Sequence, residues 1–273
     1  MIYPPLATAF LAVGSAFRSP HVEILNYAPI LEYLEDNFYS GALAKFGAAG
    51  LPSWVRARFE QIAAHEATHV AFLAGALGSS TTAACQYIPI HRPQVLRRSL
   101  HVLEGVGVSA YLGDAASITN KDYLTAAGSI LTTEARHASW VSFTVNEGSP
   151  WPGALDVPLD FNQVYSLAST FITSYPSTNL ALLVKAFPAL TFSPMTAMSG
   201  DEITVSYKGT ADNVFMDFYT GLSQMSAHIS NGKVIIPNDL EGTVYAVVST
   251  NSTAATDNTT KAGPAVFVFP VSF

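Results

Sequence analysis

Cysteine is almost missing: Cys85 is the only one in 273 residues, so no disulfide can form within the chain. With no basic residue close by, Cys85 reads as a buried structural thiol, not a nucleophile. Charge is scarce too. Asp, Glu, Lys and Arg make up only 12%, with 20 acidic against 13 basic residues and a formal net charge of −7. An ordinary domain is about one quarter charged. A sparse, acidic balance argues against nucleic acid or an anionic membrane as partner. Long apolar runs are absent as well, none reaching the roughly 18 residues of a membrane span. The run from Leu6 to Ala16 ends in Gly14-Ser15-Ala16, the pattern of a signal-peptide core and its cleavage site.

What is present is apolar mass and neutral polarity. Apolar residues are 49% of the chain, enough for one large or two ordinary domains. Ser, Thr, Asn and Gln must then make the surface polar, as is common in secreted proteins. Two sequons, Asn251-Ser252-Thr253 and Asn258-Thr259-Thr260, fall in one polar loop. The expectation is an extracellular, glycosylated protein.

One short phrase occurs twice: Glu66-Ala67-Thr68-His69 and Glu134-Ala135-Arg136-His137. Three residues make almost one helical turn, so each Glu and His share a face and can hold one metal ion. Each phrase has a Glu upstream, Glu32 by 34 residues and Glu104 by 30. Tyr39 and Tyr111 each follow that Glu by seven residues. The chain thus reads as an internal duplication whose four Glu and two His are the ligand set of a dinuclear iron or manganese centre in a four-helix bundle. Glu35 shares a face with Glu32 and is an alternative or additional ligand, or else a surface or supporting charge. His101, one turn before Glu104, could itself ligate, orient a ligand, or simply be a satisfied polar residue near the bundle core. Tyr39 and Tyr111 are candidate catalytic groups, as hydrogen-bond donors or redox-active phenols. They read equally as core residues with a polar tip.

The periodicity predicts helices over His21–Tyr39, Trp54–Leu77, Pro93–Tyr111 and Asn120–Asn146. Pro29 should kink the first or begin its regular part. A further helix or turn is expected within Asn162–Tyr175. Beyond Ala189 the period becomes two, with strands expected at Glu202–Tyr207, Val214–Tyr219, Val234–Ile236, Thr243–Val248 and Val266–Val271. His228 should lie alone on a strand. The predicted organisation is α+β: a bundle over 20–150, a connecting segment over 151–190, and a small Ig-like β-sandwich over 191–273.

With these residues in view, the chain resembles the ferritin-like family that includes plant desiccation-related proteins and fungal stress-response proteins. The resemblance is carried by Glu23-Ile24-Leu25-Asn26-Tyr27-Ala28, Leu31-Glu32-Tyr33-Leu34-Glu35 with Phe38-Tyr39, His65-Glu66-Ala67-Thr68-His69-Val70 and Glu134 to Ala138. It extends through Val157-Pro158-Leu159-Asp160 and Phe187-Pro188-Ala189-Leu190, covering about residues 20 to 190. More distantly, the ligand order is similar to that of manganese catalases and bacterioferritin. The resemblance implies a fold and a metal site, and the reaction follows from chemistry: an oxidoreductase acting on peroxide or oxygen in stress protection. The competing expectations are metal binding without turnover, and a glycan- or protein-binding module using the sandwich aromatics Tyr207, Phe218 and Tyr219. A monomer or small homo-oligomer is expected, since the sandwich fits a storage cage poorly.

Overall fold

The computed structural model describes residues 20–271 apart from 48–49, 79–80, 90–91, 180 and 210–212. The apolar run Leu6–Ala16 lies outside the described residues. The chain divides into two compact units. One takes the chain up to Leu100 with Ser117–Lys121 and Phe171–Leu183, and the other takes His101–Ala116, Asp122–Thr170 and Val184 onward.

In the first unit, α1 (Pro20–Lys45) and α2 (Ser53–Leu77) form an antiparallel pair. Helix α1 does not begin at Pro29 but runs through it. Proline removes one N–H bond and crowds the preceding turn. The buried face of Ile30, Leu31, Leu34 and Phe38 offsets that cost by packing. Two contacts fix the register of the pair. The Tyr39 ring meets the Phe59 ring edge-on at 5.0 Å. The Arg56 guanidinium donates to the Leu43 and Phe46 carbonyls, each at 3.1 Å, and so closes the end of α1. Two short strands not expected from the sequence, β1 (Gln86–Tyr87) and β2 (Ile172–Ser174), pair antiparallel. Cys85, just before β1, is buried as expected, and burial pushes its thiol up to about 11.

Helix α3 (Pro93–Asp114) enters the second unit, and α4 (Lys121–Trp140) follows it there. Helix α4 stops short of the expected Asn146. Val141–Val145 forms a π-helical turn, with the Asn146 N–H reaching back to the Val141 carbonyl. The run Trp140-Val141-Ser142-Phe143-Thr144-Val145 is aromatic and β-branched, which weakens α-helix at that point. Helix α5 (Phe161–Ser169) starts at a capping box: the Gln163 N–H donates to Asp160 Oδ1 at 2.8 Å, and the Asp160 N–H to Gln163 Oε1 at 3.2 Å.

The rest of this unit is two antiparallel sheets. One has the order β3 (Leu190–Ser193), β4 (Glu202–Tyr207), β7 (Lys233–Ile235). The other has the order β6 (Ser223–His228), β5 (Phe215–Thr220), β8 (Gly242–Ser249), β9 (Thr260–Phe269). They share one core that includes Ile203, Phe218, Val244 and Ala246, with Phe192 of β3 stacked on Phe267 of β9 at 4.0 Å. This is a sandwich, and the α+β class is as predicted. Strand β3 was not anticipated, and of β6 only the strand position of His228 was. The sequence Ser-Gln-Met-Ser-Ala-His of β6 offers only Met225 and Ala227 as alternating apolar residues, and β6 is held as a strand by pairing with β5. A two-residue turn with Gly221 at φ 52° joins β5 to β6, a conformation that favours glycine. His228 ends β6, its ring edge-on to Phe215 at 5.4 Å. Asp217 of β5 is fully buried and accepts hydrogen bonds from the Ser226 and Ser249 hydroxyls.

Candidate metal centre

The antiparallel register of α1 and α2 sets Tyr39 opposite Phe59 and therefore brings Glu32 opposite Glu66 and His69. His69 Nδ1 lies 3.0 Å from Glu32 Oε2 and 3.1 Å from Glu66 Oε2. Both carboxylates are fully buried, and the imidazole is 11% exposed. A nitrogen carries at most one hydrogen, so it can donate to only one of them at a time. The three ligand atoms lie within 4.8 Å of one another. Donors held about 2.1 Å from one divalent ion stand about 3.0 Å apart when adjacent and about 4.2 Å when opposite. The first triad fits that spacing. Glu35 is also buried, so it is no surface charge, but it does not join the ligand atoms around His69.

The second triad is built in the same way from α3 and α4. His137 Nδ1 lies 3.5 Å from Glu104 Oε2 and 3.9 Å from Glu134 Oε2, and both carboxylates are fully buried. These separations exceed hydrogen-bond length but remain inside the range of ligands around one ion. Even with its imidazole protonated, each triad counts two negative charges against one positive. A divalent cation bound with the imidazole neutral cancels the two carboxylate charges, and buried oxygen and nitrogen donors are the set that iron and manganese accept. The residues therefore fit a metal.

Tyr39 is fully buried and Tyr111 nearly so. The Tyr39 ring is a core contact through Phe59. His101 stands apart from the ligand atoms; burial lowers its pKa and favours the neutral ring.

Three functional-region residues escaped sequence reading. Tyr245 of β8 is 2% exposed and places its hydroxyl beside α3 at Gly105, 3.3 Å from where a Cβ would stand. It accepts a hydrogen bond from Ser109 Oγ at 3.3 Å, and burial pushes the phenol up to about 12. A glycine beside a candidate ligand was the available signal; the residue that fills the space came from 140 positions away. Asp114, at the end of α3, is pushed up to about 8 by burial and then by the charge of Asp160.

Residues 21–147 match the family model of the ferritin-like domain, a span containing both triads and, but for Pro20, the four helices that carry them. The helical region is thus similar to a ferritin-like domain and is followed by a sheet-rich region, and its buried Glu/His groups could hold metal. No curated protein matches the chain.

Proposed function

We propose that the two triads complete one dinuclear iron or manganese centre and that the protein is an oxidoreductase acting on peroxide or oxygen. The observation that carries this reading is the repetition: two Glu/Glu/His triads, each with both carboxylates fully buried. Their location within one ferritin-like match supports joining them into one centre. Bound there, such a pair would supply two-electron redox chemistry, each ion changing by one electron. The chain's own part is to hold the ions with Glu32, Glu66 and His69 on one side and Glu104, Glu134 and His137 on the other. His69 and His137 must each present an unprotonated nitrogen to bind, so metal uptake releases protons and weakens toward acid. Burial of all four carboxylates keeps bulk water from the ligands. Tyr39 and Tyr111 are proposed as hydrogen-bond donors or redox-active phenols beside the centre.

Metal content by plasma mass spectrometry on protein purified without chelator is the test. About two iron or manganese ions per chain are expected, with turnover of peroxide or consumption of oxygen. Glu66→Ala and His137→Ala should each lose metal with helical content intact; unchanged metal in both variants removes the reading. Extracellular location and a stress-protective role belong to the same proposal. Asn258 is exposed, so a glycan there is expected on secreted protein. A single unmodified mass from a secreting host would count against that part.

A further inference from the structure

Within the second unit a cavity of about 330 Å³ lies between α3, α4, the segment 149–157 and β8. Small-molecule sites occupy about 300–1,000 Å³ and combine apolar walls with a few convergent polar groups. This one has that composition. Val108 and Val157 give it an apolar body, and the largely exposed Trp151 borders it. Ser109 and Tyr245 bring hydroxyls to it. His101, whose buried Nδ1 has no hydrogen-bond partner, also borders it.

Charge narrows the occupant. Arg136 is exposed and borders the cavity, and its guanidinium has five N–H donors. One of them meets the Thr133 hydroxyl at 3.2 Å. Among the described residues no carboxylate forms an ion pair with Arg136. A planar guanidinium beside an apolar chamber matches a planar carboxylate on an apolar body. One wall acid, Asp156, opposes such a ligand, and its burial raises the carboxyl pKa, which weakens the opposition.

We infer that this cavity binds a small monocarboxylic acid with an apolar or aromatic body, its carboxylate on Arg136 and its body among Val108, Val157 and Trp151. The inference stands on the cavity and its cation. It does not require a metal, so it survives or fails separately from the dinuclear reading.

Isothermal titration of the purified full chain tests it, with benzoate as probe and benzyl alcohol and benzylamine as its neutral and cationic counterparts. Benzoate should bind at about millimolar Kd or tighter, ahead of both counterparts. Arg136→Gln should weaken benzoate by about tenfold and leave benzyl alcohol unchanged, while Arg136→Lys restores part of the loss. Ser139→Phe, which fills the chamber from α4, should remove both benzoate and benzyl alcohol, with an unchanged circular dichroism spectrum confirming the fold. No benzoate binding in this range, benzylamine binding as well as benzoate, or benzoate affinity indifferent to Arg136→Gln would each overturn the assignment.

Discussion

Two triads of one composition sit in different surroundings. Glu32, Glu66 and His69 are gathered by a pair of helices, with Nδ1 separations of 3.0 and 3.1 Å. Glu104, Glu134 and His137 belong to a unit that also contains the sandwich, and their Nδ1 separations are 3.5 and 3.9 Å. There α3 meets chain from outside the helices: the Tyr245 hydroxyl lies against Gly105, and the Leu159 N–H donates to the Ser109 carbonyl at 3.1 Å. A repeated sequence phrase therefore sets the ligand types and leaves the width of each site to whatever packs around it.

The sharpest way to break this comparison is to disturb one surrounding and spare the other. A Cβ on Gly113 would stand 2.0 Å from the Leu159 carbonyl oxygen, which is backbone and cannot rotate away. Gly113→Ala should cost about 3 kcal/mol and halve the metal content by emptying the second triad. Its counterpart in α1, Gly41, follows Glu32 by nine residues as Gly113 follows Glu104, and has nothing within 4 Å. Gly41→Ala should gain up to about 1 kcal/mol from helix propensity and keep all the metal. Melting temperature and metal content of the two variants decide the matter, and equal effects would mean the surroundings are not what distinguishes the triads.

A second, smaller asymmetry is pH. Asp114 has a folded pKa of about 8, above its ordinary value of 3.8. The folded state therefore holds this proton more tightly than the unfolded chain does. Stability linked to the group is full below pH 3.8 and is lost as pH rises toward about 8. A carboxylate at the end of a helix also opposes the helix dipole. Asp114→Asn should melt higher than wild type near pH 8 and alike near pH 4, and curves that run parallel across that window would discard the effect.

The sequence was most legible where a period repeated. Helical spacing located the face that carries Glu66 and His69, and alternation located β4 to the residue. It was silent where partners are distant. Tyr245 could not be assigned to Gly105 because no local pattern joins β8 to α3. The π-helical turn at Val141 is a difference of one residue in hydrogen-bond reach, which a smooth apolar pattern hides. Glu32 and Glu35 share one face, so spacing left both open; the position of His69 on the neighbouring helix sets Glu32 beside it.

The finest test of the contrast is the contact between Gly105 and Tyr245. Alanine at Gly105 would gain up to about 1 kcal/mol in a free helix. Here its Cβ meets the Tyr245 hydroxyl at 3.3 Å, tighter than ordinary contact, and the ring is fixed in a buried fit. The two terms should nearly cancel in Gly105→Ala. In Tyr245→Phe the hydroxyl is gone and with it a long hydrogen bond from Ser109, at a cost of about 0.5 kcal/mol. Adding Gly105→Ala to Tyr245→Phe should then recover the helix gain, giving a coupling of about 0.5–1 kcal/mol in a double-mutant cycle. A coupling of zero would mean that the phenol does not bear on α3 and that the width of the second triad has another cause. A positive coupling with altered second-site metal affinity would tie the sandwich to the ligand spacing directly.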